Sequence, residues 1–246
     1  MTSIAVIGGS GLTRLPGLEI TRREVINTIY GEPSGAVTHG QLDGKPVVFL
    51  ARHGNSHHIP PHEINYRANL WALKQIGVTK IIAFNAVGGI TPPMQAAAIA
   101  IPDQIIDYTY GRAHTFFDKD ADEVVHIDFS FPYSEMVRNA LIQAASASAT
   151  EVVDKGVYGV TQGPRLETAA EVLKLEKDGC DLVGMTGMPE AALARELNLE
   201  YASCCIVANL AAGKGEGIIS MEQINQNLND GMDAALKVLA GAIALL

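Results

Sequence analysis

Arg52 and His53 stand side by side directly after an apolar run, 46–51 (PVVFLA). A second apolar run, Ile4 to Ile7, delivers the chain into Gly8-Gly9-Ser10-Gly11. A fixed guanidinium, an imidazole, a hydroxyl and a glycine turn with approachable N–H groups are the parts of an anion site. The anion could be a dinucleotide pyrophosphate, the phosphate of a nucleotide, or free inorganic phosphate. The dinucleotide fingerprint needs a third glycine where Arg14 stands, and Leu15-Pro16-Gly17 stops the helix that should follow. Taken alone, the turn could also be a tight turn without a ligand, Arg52 a surface ion-pair partner and His53 a satisfied polar residue. Other polar segments follow other apolar runs: NAVGG (85–89), TQGPRLET (161–168), GMTGMPE (184–190) and ANLAAGKGEG (208–217). His57, His58 and His62 invite a zinc reading. Pro60 and Pro61 deny them a shared helix face and no acid sits at metalloprotease spacing, so no metal site is expected.

The elements that must position these segments alternate. Strands are expected at 4–7, 46–51, 79–84, 103–107, 156–161 and 201–208, and helices at 62–76, 133–147, 167–178, 189–197 and 221–244. Met221, Ile224, Leu228, Ala235 and Leu239 mark a packing face on the last helix. Such alternation predicts an α/β fold with a mostly parallel or mixed sheet covered on both faces. No repeat, low-complexity tract or linker divides the 246 residues, so one domain over 1–246 is expected. In these folds ligands collect beyond the carboxyl ends of strands, where the polar segments lie.

Composition narrows the partners. A net charge of −9 argues against wrapping nucleic acid, and any phosphate site must be built locally from backbone donors and one or two cations. No stretch approaches the ~20 apolar residues of a membrane span, and no signal peptide is evident, so a cytoplasmic protein is expected. Three cysteines with no C-x-x-C pair suit a reducing compartment.

Taken together, IAVIGGSGL, LARHG, NYRANLWALK, AVGGI, QGPRLET and MTGMPEAALARE resemble the trimeric nucleoside phosphorylases, the family of purine nucleoside and methylthioadenosine phosphorylases. The matches run in family order over nearly the whole chain. The resemblance implies a three-layer α/β/α fold with a central mixed sheet, and reversible phosphorolysis in which phosphate displaces a purine from C1′. Phosphate is then a co-substrate and no cofactor is needed. The matching phosphate positions are Ser10, Arg52, His53, Ala86 and Thr186. Arg52 would supply charge and a bidentate fork, His53 a donor, Ala86 a backbone N–H, and Ser10 and Thr186 hydroxyl protons.

At the base, the resemblance puts Asn209 and Ala211 where methylthioadenosine phosphorylases carry two aspartates. A 6-oxopurine leaving with N7 protonated presents an O6 acceptor and an N7–H donor, which an amide matches. Adenine needs a group that accepts at N6 and delivers a proton to N7, which a carboxyl group can do and an amide cannot. Asn209 could otherwise be a strand-end cap. Leu166 departs from the aromatic residue that usually stacks on the base. Met185 would lie under the ribose. Met221 and Ile224 would line the 5′ end, where apolar walls favour an S-methyl group over a hydroxyl, unless Met221 merely packs. His126 matches a residue inserted from a neighbouring subunit, which would make a homotrimer.

The reading is phosphorolysis of S-methyl-5′-thioinosine to hypoxanthine and 5-methylthioribose 1-phosphate. The alternatives within the family are S-methyl-5′-thioadenosine, or inosine and guanosine. A nucleosidase using water would not need Arg52 beside His53. A non-catalytic nucleoside binder would not need Arg52, His53 and Thr186 together. A nucleotide-binding oxidoreductase would need the glycine fingerprint that Arg14 breaks.

Overall fold

The computed structural model describes residues 4–118 and 124–246. Its first half contains β1 (Ile4–Gly8), β2 (Glu19–Glu24), β3 (Val37–Leu42), β4 (Lys45–Ala51), α1 (Tyr66–Gln75), β5 (Lys80–Gly89), β6 (Ile99–Ala100) and β7 (Gln104–Asp107). The second half adds α2 (Glu135–Ala147), β8 (Val152–Val153), β9 (Val157–Val160), α3 (Ala169–Lys177), β10 (Leu182–Gly184), α4 (Glu190–Glu196), β11 (Glu200–Leu210) and α5 (Met221–Leu245).

The strands form one mixed sheet in the order β2-β3-β4-β1-β5-β10-β9-β7, with β11 also on β5, β6 on β11 and β8 on β6. Alternation along β1 explains the layers. Ala5 and Ile7 join a core with α1 and α4, whereas Ile4 and Val6 join a second core with α2 and α5. β11 repeats the division, with Tyr201, Cys205 and Val207 on one face and Cys204, Ile206 and Ala208 on the other. The expected three-layer α/β/α architecture with a mixed sheet is the one observed. Among the described residues, no helix is long and apolar enough to cross a membrane.

Helix ends follow local chemistry. Ser134 caps α2, Ser220 caps α5, and Thr168 with Glu171 makes a reciprocal capping box at α3. α1 starts at Tyr66 rather than 62, because Asn65 is its cap, accepting from the Ala68 N–H, and Pro60-Pro61 precede it. Two expectations about the ends of strands are corrected. Residues 85–89 are not a loop but the end of β5, and Asn209 lies within β11 rather than after it. Both strands are long because each remains paired with the other up to Gly89↔Leu210. The strands β2, β3, β6, β8 and β10 were not expected. β2 is a charged edge ribbon with every residue at least partly exposed, and β6, β8 and β10 have three residues or fewer.

Candidate active site

The centre of the sheet opens at one point. Pairing of β1 with β5 ends at Ile7↔Ala83, and pairing of β10 with the same side of the sheet begins at Gly88↔Val183. Between them, residues 84–87 of β5 present an unpaired edge. Main-chain groups left free where strands diverge are the usual ligand position in α/β sheets. The Phe84 carbonyl on that edge accepts from Arg52 Nη1 at 2.8 Å. Ala86, two residues on, directs its N–H to the same edge. A cavity of about 660 Å³ lies over the opening.

The glycine turn after β1 forms one wall. Its tight fit explains the glycine at position 9, where a Cβ would lie 2.5 Å from the Phe84 carbonyl oxygen and 2.9 Å from Arg52 Nη1. Ser10 Oγ lies 2.9 Å from His57 Nε2. His57 and His58 line the cavity. His62 does not, and pairs with Glu63 at 3.4 Å. Among the described residues, no cluster of three or more His, Cys, Asp or Glu is arranged to hold a metal.

Arg52 is not a surface residue. Its side chain is fully buried, and its Nε and Nη2 donate to the two carboxylate oxygens of equally buried Glu190, both at 2.7 Å. Tyr201 donates to the same carboxylate at 2.9 Å. The bidentate fork expected to meet the anion is therefore taken by Glu190. Three of the five guanidinium protons are used, leaving one on each Nη. Glu190 starts α4, and Arg52 follows β4, so the ion pair ties two distant segments together under the turn.

His53 also differs from the expected donor. Its Nδ1 lies 2.8 Å from the Ile59 carbonyl oxygen, which can only accept, so Nδ1 carries the proton. Burial and the adjacent Arg52 guanidinium push its pKa down from 6.5 to about 4. The neutral ring offers Nε2 as an acceptor. Thr186 accepts from Asn85 Nδ2 at 2.9 Å, which leaves its own hydroxyl proton to donate. Ser10, Arg52, His53, Ala86 and Thr186 thus line one cavity.

The other end of the cavity is shaped by β11. Its register slips between Val207 and Asn209, a bulge that re-aims the Asn209 side chain. Asn209 Nδ2 donates to the Leu210 carbonyl at 2.8 Å, which leaves Oδ1 and the second Nδ2 proton for a ligand. Ala211 packs beside Gly88 and Val183, and the loop that follows rests on the start of α3 at Ala169. That contact brings Leu166 and Glu167 to this end, and both line the cavity. Thr161 donates to Glu167 Oε1 at 2.5 Å. Sequence reasoning missed Glu167 and Glu190, although each is an acid inside a polar segment that had been singled out.

Met185 lines the cavity between these ends. Arg112, a further residue missed, is buried and fixes Met185 in place. Its Nη1 donates to the carbonyls of Met185 at 2.8 Å and Met188 at 2.5 Å, and its Nη2 to Gln162 at 2.9 Å. Met221 and Ile224 also line the cavity, but Met221 is 66% exposed and Leu166 42%. His126 is not part of this cavity. It is exposed and lies on a separate groove with His114, Phe117 and Glu196.

The phosphorylase superfamily model matches residues 3–244. A probable S-methyl-5′-thioinosine phosphorylase of Pseudomonas syringae pv. tomato is 55% identical, covering 99% of this chain and 99% of the relative. A 6-oxopurine nucleoside phosphorylase of Pyrococcus furiosus is 43% identical over 100% of this chain and 94% of its own length. Among solved structures, methylthioadenosine phosphorylase from Schistosoma mansoni in complex with adenine superposes with a TM-score of 0.95 at 32% identity, covering 100% of this chain and 92% of that one.

Proposed function

The chain belongs to the phosphorylase superfamily as a nucleoside phosphorylase, a pentosyltransferase, and from that premise we propose that it cleaves S-methyl-5′-thioinosine. Inorganic phosphate is the second substrate and no cofactor takes part. A phosphate oxygen forms a bond to C1′ as the C1′–N9 bond breaks, and the bonding electrons leave with the purine, which gains a proton at N7 while the sugar phosphate releases one to solvent. The products are hypoxanthine and 5-methylthioribose 1-phosphate. As in glycoside cleavage, the sugar acquires oxocarbenium character, so the protein must hold the nucleophile and stabilise the charge growing on the base.

The observation that carries the choice of base is that Asn209 and Glu167 both line the cavity. A 6-oxopurine has a donor at N1–H and an acceptor at O6. Glu167 can accept from N1–H, and Asn209 can donate to O6 while Oδ1 accepts from a protonated N7. Adenine bears an acceptor at N1, which would face the carboxylate lone pairs. The relatives named for thioinosine and 6-oxopurine substrates support this assignment. The methylthioadenosine phosphorylase of S. mansoni, at lower identity, shares the fold.

Met221 and Ile224 support the 5′-methylthio group. Met221 and Leu166 are large apolar residues of the wall that stand exposed, which fits a homotrimer in which a neighbouring subunit closes the site and brings His126. Three buried free thiols, Cys180, Cys204 and Cys205, fit a cytoplasmic setting. Phosphorus NMR of the reaction with S-methyl-5′-thioinosine tests the reaction type. A sugar 1-phosphate resonance growing in step with hypoxanthine is expected, whereas free methylthioribose with unconsumed phosphate would mean hydrolysis.

A further inference from the structure

The phosphate subsite contains an imbalance of hydrogen-bond polarity. The remaining protons on the two Arg52 Nη atoms, the Thr186 hydroxyl and the Ala86 N–H are all donors. The Ser10 hydroxyl is shared with His57. Glu190 balances the Arg52 charge inside the protein, so the subsite has little net charge with which to favour one anion over another. His53 is the exception. Its Nδ1 is held by the Ile59 carbonyl, and its ring lies 4.6 Å from that of His57. The ring lines the cavity, and with Nδ1 engaged Nε2 is its one remaining polar atom.

We propose that His53 reads the protonation of the nucleophile: Nε2 accepts the P–O–H proton of monohydrogen phosphate, so the site prefers oxyanions carrying a proton to isosteric dianions without one. Monohydrogen phosphate has one donor and three unprotonated oxygens, which matches one acceptor among several donors. The arrangement also orients the nucleophile. The hydroxyl oxygen is parked at His53, which leaves an unprotonated oxygen for C1′. The low pKa of His53 keeps the ring neutral, so the proton stays on phosphate. Arg52, His57 and the Ile59 carbonyl are the groups facing the ring, and none supplies Nε2 with a proton. The proposal rests on phosphate being the second substrate.

Sulfate and monofluorophosphate are dianions of similar size with no proton at pH 7.5, whereas arsenate carries one. Calorimetric titration of the intact protein is expected to give dissociation constants for sulfate and monofluorophosphate about tenfold or more above that of phosphate, with arsenate close to phosphate. A gap smaller than tenfold would overturn the proposal. His53→Gln presents an amide that can turn its NH₂ to the anion, and is expected to close the gap. A gap that persists in this folded variant would also overturn it. Nitrogen-15 NMR of the unmodified protein adds a test that needs no substitution. A neutral Nδ1–H ring is expected at pH 7.5, and an Nε2–H ring would refute the assignment. If nucleoside cleavage shows no phosphate dependence, the phosphorolytic reading itself fails. Phosphate-dependent cleavage without anion discrimination fails the His53 proposal alone.

Discussion

Replacing Glu190 by glutamine keeps the shape of the side chain and removes one charge. In the native protein, neither Arg52 nor Glu190 has solvent-exposed side-chain surface, and the carboxylate accepts three hydrogen bonds, two from Arg52 and one from Tyr201. Glu190→Gln leaves an uncompensated guanidinium in the interior and points an amide N–H at another donor. Breaking a buried pair from one side costs about 3–5 kcal/mol. At roughly 2–4 °C per kcal/mol for a chain of this size, the midpoint should fall by about 6–20 °C. Urea unfolding, with the slope compared between variants, measures the same loss. The double variant Arg52→Met with Glu190→Met should recover much of the stability, because apolar pairs of similar volume often replace buried ion pairs without loss. It should not recover phosphate-dependent activity, since it removes the Arg52 guanidinium from the lining of the cavity and from the Phe84 carbonyl beside the glycine turn. In Glu190→Gln itself, the loosened guanidinium should raise the KM for phosphate about tenfold while the KM for nucleoside changes little. A stability loss under about 1 kcal/mol would contradict a buried, mutually dependent pair, because that is the cost of an exposed one.

Three further outcomes are expected. His53 has a folded pKa of about 4 against 6.5 unfolded, so between these values the unfolded chain binds more protons and stability falls as pH falls. Relative to His53→Gln, the native protein should lose roughly 3 kcal/mol between pH 6.5 and 4, and parallel denaturation curves would contradict this. Asn209→Asp can deliver a proton to N7 of adenine, so the rate ratio of thioadenosine to thioinosine should rise about tenfold or more in single-turnover measurements, and an unchanged ratio would remove Asn209 as base reader. Arg112→Lys loses the planar fork that holds the carbonyls of Met185, Met188 and Gln162, and should raise the nucleoside KM about tenfold with the phosphate KM within twofold. Equal changes in both constants would show a general loss of folding.

Much of this architecture is legible in the sequence because its helices carry strong local signals. Ser134, Thr168 with Glu171, and Ser220 sit where the chain leaves an extended segment, and the helices begin there. The short apolar runs that end in polar segments likewise mark β1, β4 and β11. The missed strands lack such signals: Glu19–Glu24 is charged and exposed, and Leu182–Gly184 is too short for a period to show. The cavity residues Ser10, Arg52 and His53 were identifiable because each follows an apolar run, and Ala86, Thr186, Asn209 and Ala211 because their segments resemble those of the family. Their polarity was not. The fork of Arg52 is taken by a carboxylate 138 positions away, and the proton position on His53 is set by the carbonyl of Ile59. The bulge at Val207 to Asn209 is equally hidden, since it depends on pairing with β5. Glu167 left a readable trace as an acid in a polar segment after β9, but its importance emerges only when that segment meets the loop after β11.

Base release from S-methyl-5′-thioinosine, S-methyl-5′-thioadenosine and inosine, each with and without inorganic phosphate, tests the proposed reaction most directly. Release is expected to require phosphate and to be fastest from the thioinosine. Faster release from thioadenosine would contradict the roles of Asn209 and Glu167, and faster release from inosine would contradict the apolar wall at Met221 and Ile224. Release that proceeds equally well without phosphate would contradict the site built around Gly9, Arg52 and His53.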